Sequence, residues 1–118
     1  MADDDYLYLT TTGRRSGQPH RIELWYADAG DDRTVYLLSG GGDRSDWVRN
    51  LRADPRCEIS IGAPDALQRR ATATVLDDDP ERSEAARRMV FDKYQARYDG
   101  DLADWRERSL AVSITLEH

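Results

Sequence analysis

The chain has 118 residues, of which 39% are hydrophobic and 34% are charged, and its formal net charge is −6. This length predicts one domain with one hydrophobic core, and the acidic charge argues against a nucleic-acid-binding protein because phosphates repel it. No apolar run approaches the ~20 residues of a membrane-spanning helix, and no positively charged leader precedes an apolar stretch, so we expect a cytoplasmic protein.

Cysteine and histidine are scarce. Cys57 is the single cysteine, which excludes an internal disulfide and a cysteine-based zinc site, and its alternating apolar neighbours predict a buried side chain. Glu117 and His118 resemble the remnant of an expression tag, so we assign the domain to residues 1–116. His20 is then the only histidine left, and we expect no metal site and no hydrolytic triad. If the protein is an enzyme, a bound cofactor must carry the chemistry.

The first half of the chain predicts four strands and a short helix. Strands are expected at residues 6–12, at Thr34–Ser39 and at residues 57–61. A further strand is expected after Pro19, with Ile22, Leu24 and Tyr26 on one face. Ser45 is expected to cap the short helix, which Pro55 ends.

The second half predicts a fifth strand at residues 71–75 and a last strand at Leu110–Leu116. Between them Asp79 and Pro80 open a long helix that we expect to end near Gly100, followed by a short helical piece. This order predicts a mainly β (α+β) fold, an antiparallel barrel of about six strands with one short and one long flanking helix. A dinucleotide-binding βαβ unit is not expected.

The segment Gly13-Arg14-Arg15-Ser16-Gly17 is a candidate anion site. Two adjacent guanidinium groups and a hydroxyl on a tight turn offer several donors to a phosphodiester or a carboxylate. The alternative is a solvated hairpin turn whose arginines serve solubility.

A second candidate is Ser39-Gly40-Gly41-Gly42, between a strand and a helix. Consecutive glycines cost backbone entropy, and they allow backbone amides to lie against a planar heterocycle. This is not a phosphate-binding Walker loop, because no Gly-Lys-Ser/Thr follows. A flexible loop is the alternative.

Aromatic and amide side chains complete the set of candidates. Trp47 and Asn50 lie three residues apart on the short helix and can point the same way, although Trp47 can equally belong to the core. Tyr94, Tyr98 and Trp105 cluster around the end of the long helix, where they could wall a flat substrate or simply pack.

Taken in order, residues 9–17 (LTTTGRRSG), 39–42 (SGGG) and 47–55 (WVRNLRADP) resemble the deazaflavin (F420)-dependent nitroreductase family, within the flavin-binding split β-barrel group. The resemblance implies a split β-barrel that binds coenzyme F420. It also implies an oxidoreductase that passes a hydride from the reduced coenzyme to a quinone, a nitro compound or an activated alkene.

The resemblance also implies roles for the candidates. Arg14, Arg15 and Ser16 would hold the anionic tail of the coenzyme, and residues 39–42 would lie along its ring. Trp47 and Asn50 would support that wall, and the region of Tyr94, Tyr98 and Trp105 would border the acceptor. No catalytic base is assigned.

Alternatives remain open at this stage. The same fold could bind FMN, or it could serve a non-catalytic protein that carries a flavin, a haem or a lipid. The chain could be a monomer or a homodimer, and its physiological acceptor is not indicated.

Overall fold

The fold is built on one antiparallel sheet, seen in a computed structural model that describes residues 4–117. Its strands are β1 (Leu7–Thr12), β2 (Pro19–Leu24), β3 (Ala27–Asp28), β4 (Thr34–Ser39), β5 (Arg56–Ile61), β6 (Arg69–Val75) and β7 (Leu110–Leu116). Their order across the sheet is β2-β1-β5-β6-β7-β4-β3, and every neighbouring pair is antiparallel. The sheet curls into a half-barrel, which confirms the predicted α+β split-barrel class.

Within residues 4–117, three α-helices and two short 3₁₀ turns join the strands. The helices are α1 (Asp46–Ala53), α2 (Pro80–Gln95) and α3 (Ala103–Arg108), and the 3₁₀ turns are Gly42–Arg44 and Leu76–Asp78. No helix within residues 4–117 combines the length and the apolar character that crossing a bilayer requires.

Clusters of hydrophobic side chains lie on both faces of the sheet. Inside the curl, the apolar face of α1 packs on alternating residues of the strands. That cluster comprises Leu7, Leu9, Tyr26, Val35, Leu37, Trp47, Val48, Leu51, Cys57, Ile59, Ala71, Ala73, Val112, Ile114 and Leu116. On the other face α2 forms a second cluster with Ala27, Leu38, Leu76, Ala86, Val90, Tyr94, Leu102 and Ala111. The strict alternation along β7 places its side chains in both clusters, as period-2 geometry requires.

Three sequence expectations need correction. The sheet has seven strands instead of about six, because β3 has two residues and is too short to give a periodic signal. Tyr26 lies beyond the end of β2 and is fully buried. The long helix α2 ends at Gln95, well before Gly100. The short helical piece expected after it is confirmed as α3.

The two predicted helix caps behave differently. The Asp79 carboxylate accepts a hydrogen bond from the backbone N–H of Arg82, which confirms it as the N-cap of α2. Ser45 occupies the N-cap position of α1 but makes no side-chain capping bond, because its hydroxyl lies 2.7 Å from that of Ser39. The expected capping bond of Ser45 was therefore wrong.

Strand β2 leaves part of the inner face of the sheet uncovered. Its residues lie directly opposite those of β1, with Leu9 facing Ile22 and Thr11 facing His20, so these side chains share one face. Leu9 and Thr11 are buried, whereas His20 and Ile22 are exposed. The β1–β2 hairpin therefore extends past the core and forms one wall of an open cleft.

Candidate functional site

The cleft beside the β1–β2 hairpin is a cavity of about 430 Å³. It lies between the inner face of β2, the turn after β1 and the first turns of α1. Its lining residues are Thr11, Gly13, Arg14, Arg15, Ser16, His20, Arg21, Ile22, Asp46, Trp47 and Asn50. Ile22 and Trp47 supply apolar surface, while arginine, histidine and hydroxyl groups surround it. An apolar surface with a cationic rim suits a flat molecule that carries an anionic group.

Asn50 fixes Arg14 at the rim of the cavity. The side-chain oxygen of Asn50 accepts from the backbone N–H of Arg14 at 3.2 Å and from its Nη1 at 2.9 Å. Asn50 Nδ2 donates to Thr11 Oγ1 at 3.0 Å. Asn50 is 4% exposed, so the polar atoms of its side chain are used inside the protein. It therefore acts on the cavity through Arg14.

The two arginines of the turn differ in their surroundings. Arg14 Nη2 also lies 3.2 Å from Asp46 Oδ1, so the guanidinium of Arg14 is shared between an amide and a carboxylate. Arg15 is exposed, and within residues 4–117 its guanidinium has no hydrogen bond and no ion pair. Arg15 is thus the guanidinium of the pair that is available to an incoming anion.

The turn after β1 is closed by backbone hydrogen bonds. The N–H of Gly13 donates to Gln18 O at 2.8 Å, and the N–H of Gly17 donates to Gly13 O at 2.9 Å. A Cβ atom at Gly13 would lie 2.6 Å from both His20 Nε2 and Ser16 Oγ. Gly13 therefore allows the imidazole of His20 to lie against the turn, where its Nε2 is 3.4 Å from Ser16 Oγ.

The glycine bend at residues 39–42 has internal reasons for its composition. Ser39 Oγ bonds to Gly42 O at 3.1 Å and faces the hydroxyl of Ser45. A Cβ atom at Gly40 would lie 3.1 Å from Nε1 of Trp105, and Gly42 has a φ of 57°. The bend therefore packs against α3 on one side and leads into α1 on the other.

The predicted cofactor-binding residues fall into two groups. Arg14, Arg15, Ser16, Trp47 and Asn50 line the cavity together. The residues of the glycine bend, 39–42, do not line it. The two groups meet through the start of α1, because Ser45 contacts Ser39 while the next residue, Asp46, contacts Arg14. The role of the bend toward a ring stays a prediction.

The predicted acceptor-side aromatics form a cluster around Trp25. The Trp25 ring stacks on Tyr94 with centroids 4.3 Å apart and an interplanar angle of 2°. Tyr98 and Trp105 meet Trp25 edge-on at 5.9 and 5.6 Å. Tyr98 is 51% exposed, and Trp105 is half-buried against Gly40. These aromatics therefore lie beside the glycine bend, and none of them lines the cavity.

Tyr94 has a structural place within that cluster. It is 2% exposed, and its hydroxyl accepts from the N–H of Tyr26 at 3.0 Å. The same oxygen lies 2.6 Å from Asp5 O and 2.9 Å from Tyr26 O. Burial raises the pKa of Tyr94 to about 12. These contacts favour a packing role for Tyr94 and leave Tyr98 and Trp105 as the aromatics that an acceptor could reach.

Sequence reasoning passed over several residues of the site. Nothing in the sequence assigned Asp46 or Trp25 to the site, and Ile22 was expected only on a strand face. A predicted register for the first hairpin would have assigned Ile22 to the site, because it places Ile22 opposite Leu9 on the inner face of the sheet. The meeting of Asp46 with Arg14 spans 32 residues and had no local signal.

Comparison with known proteins gives the family. A family model described as F420H(2)-dependent quinone reductase matches residues 1–117. An F420H(2)-dependent quinone reductase of Mycobacterium tuberculosis is 42% identical over 57 residues, which cover 48% of this chain and 38% of that protein. The matched stretch thus spans less than half of the curated relative's length.

Solved structures support the fold. A structure described as an F420-H2 dependent reductase (FDR-A) superposes with a TM-score of 0.65 at 23% identity and covers 99% of this chain and 98% of its own. A conserved hypothetical protein of Mycobacterium tuberculosis gives a TM-score of 0.72 at 22% identity, over 98% of this chain and 74% of its own. The family match agrees with the resemblance seen in the sequence motifs, and the chain belongs to the F420H(2)-dependent quinone reductase family.

Proposed function

We propose that this protein transfers a hydride from reduced coenzyme F420 to a small quinone-type acceptor. The observation that carries the proposal is the cavity beside the β1–β2 hairpin, where apolar surface from Trp47 and Ile22 lies next to Arg15. Among the described residues, 4–117, the Arg15 guanidinium has no partner. Family membership names the coenzyme, and the cavity offers the two kinds of surface that a flat ring with an anionic tail requires.

The residues at the rim fit an anionic tail. A phosphodiester or carboxylate can accept charge-assisted hydrogen bonds from Arg15 and a further bond from the hydroxyl of Ser16, which is exposed. Arg14 adds positive charge and is held in place by Asn50. The tail-binding role of these residues rests on this donor set.

The ring is proposed to extend from the cavity toward the glycine bend. Gly40 and Gly41 are exposed, and no side chain of their own covers the backbone there. Tyr98 and Trp105 lie beside the bend, so an acceptor reaching this place would meet aromatic surface. Quinones and nitroaromatics are flat and would pack on such a surface.

The bound coenzyme supplies the hydride, and a quinone that receives it together with a proton becomes a hydroquinone. The protein's part in this reaction is to hold both molecules in contact. Neither Tyr98 nor Trp105 is required as an acid, because solvent can deliver the proton to the reduced oxygen.

The test is a reaction of the purified protein with reduced coenzyme F420 and menadione without oxygen. We expect the oxidised coenzyme to reappear, with its fluorescence, in proportion to the menadione consumed. Binding of the coenzyme without oxidation across quinone, nitroaromatic and activated-alkene acceptors would instead indicate a carrier. Tighter binding of FMN than of F420 would favour the flavin enzyme.

A matched pair of variants links the reaction to the cavity. Arg15→Ala removes the unpartnered guanidinium, and Arg88→Ala removes an exposed arginine of α2 that lies outside the cavity. We expect only the first to weaken coenzyme binding.

Light scattering of the same samples will separate a monomer from a homodimer.

A further inference from the structure

One acidic side chain lines the otherwise basic cavity. Asp46 is the first residue of α1, its side chain is 83% exposed, and its Oδ1 lies 3.2 Å from Arg14 Nη2. Its position at the start of a helix is electrostatically favourable. However, its carboxylate also lies beside the place where an anionic ligand would bind.

The contacts of Asp46 change the charge that the cavity presents. Arg14 and Asp46 form an ion pair, so their formal charges cancel. The Arg21 side chain is turned to the carbonyl of Pro64 and the ring of Tyr8. Arg15 is then the guanidinium that faces an anion without competition from a carboxylate.

Anions of different charge should respond differently to this arrangement. A phosphodiester carries one negative charge, whereas a terminal phosphate monoester carries about −1.5 to −2 at pH 7. One free guanidinium matches the first, and the carboxylate of Asp46 repels the second more strongly. We propose that Asp46 is a specificity-determining residue that makes the cavity favour a monoanionic phosphodiester over a dianionic terminal phosphate.

This inference rests on the proposed function and deepens it. The tail of coenzyme F420 carries glutamate carboxylates as well as a phosphodiester, while FMN ends in a phosphate monoester. With the phosphorus group of either cofactor placed beside Arg15, Asp46 would discriminate between the single charge of the diester and the nearly double charge of the monoester. Asp46 would act without contacting the ring of either cofactor. Its negative charge repels the bound anion, and its ion pair with Arg14 neutralises a guanidinium that could otherwise bind that anion.

The magnitude follows from Coulomb's law. At a separation of ~7 Å and the high effective dielectric of an exposed site, removing one negative charge should improve binding of a monoanion about threefold. A dianion feels twice the repulsion, so its affinity should rise by roughly the square of that factor, about tenfold. Both gains should shrink as salt is added.

The experiment compares wild type with Asp46→Asn by titrating FMN, riboflavin and coenzyme F420 and following fluorescence. We expect FMN affinity to rise about tenfold, F420 affinity about threefold, and riboflavin, which has no phosphate, by less than about twofold. Asp46→Glu keeps the charge and should keep the wild-type preference. Asp104→Asn removes an equally exposed carboxylate of an ion pair in α3 and should change none of the affinities.

The outcomes separate the two proposals. Equal changes for FMN and riboflavin, or no FMN binding by either wild type or Asp46→Asn, would overturn the role of Asp46. If wild type fails to bind F420 while Asp46→Asn still raises the affinity for FMN, the proposed function would be refuted and the charge selectivity of the cavity would be supported. Circular dichroism of each variant confirms that it is folded.

Discussion

Replacing Asn50 by alanine tests whether a buried amide organises the proposed anion site. The change removes three hydrogen bonds, two to Arg14 and one to Thr11. Each neutral bond contributes about 1 kcal/mol and the charge-assisted bond somewhat more. Since Arg14 is 23% exposed, water can replace part of what is lost. We therefore expect the free energy of unfolding to fall by about 2–3 kcal/mol, with a Tm lower by roughly 8–12 °C.

Urea unfolding followed by tryptophan fluorescence measures this loss. A double-mutant cycle of Asn50→Ala with Arg14→Ala isolates the interaction between the two side chains, which should be about 1–2 kcal/mol. A second cycle with Arg88→Ala serves as the matched control. Arg88 is an exposed arginine on α2, so its coupling to Asn50 should be near zero.

This role of Asn50 would be refuted if Asn50→Ala lowered the free energy of unfolding by less than about 0.5 kcal/mol, which is the range of ordinary surface substitutions. It would also be refuted by a coupling to Arg14 no larger than that to Arg88. Either result would mean that the amide does not hold the guanidinium in solution.

Three further predictions concern the rim, the aromatic cluster and the cysteine. Arg15→Ala should weaken coenzyme binding about ten- to a hundredfold, as loss of a charged hydrogen bond requires, with unfolding unchanged within ~0.5 kcal/mol; unchanged affinity by fluorescence titration would contradict this. Tyr94→Phe should lower stability by about 2 kcal/mol in urea, because it leaves the buried N–H of Tyr26 without its acceptor, while a melting curve equal to wild type would argue against that role. Burial raises the pKa of Cys57 from 9.0 to about 12, so a thiol reagent at pH 8 should label it only after unfolding. Because the unfolded chain loses that proton first, the same shift should reduce stability as the pH rises from about 9 toward 12, and rapid labelling of the native protein would contradict both statements.

Local patterns were sufficient where the signal lay within a few residues. The alternation along β7 and the Asp79-Pro80 start of α2 were both recognised, because strand period and helix capping are short-range properties. Cys57 was expected to be buried for the same reason, and it is. The cationic turn at Arg14 and Arg15 was recognised from the local sequence between Gly13 and Gly17.

The errors came from elements whose existence depends on distant partners. Strand β3 is two residues long and exists because Ala27 and Asp28 pair with β4. Ser45 was expected to cap α1, but its hydroxyl faces that of Ser39 instead. Tyr94 stays a candidate for the acceptor side, but nothing in the sequence indicated that its hydroxyl binds the backbone of Tyr26, 68 residues away.

The sequence by itself determined six of the seven strands described in residues 4–117, the main helix, the basic turn and the family to which the chain belongs, since each is encoded in short runs of residues. Only the tertiary structure decided how the two arginines of the turn differ. Arg14 is engaged by Asn50 and Asp46, which reach it from α1, more than 30 residues along the chain, whereas Arg15 is left to a ligand. The sequence shows which residues are charged. Which of those charges is neutralised depends on the side chains that folding brings within hydrogen-bond distance.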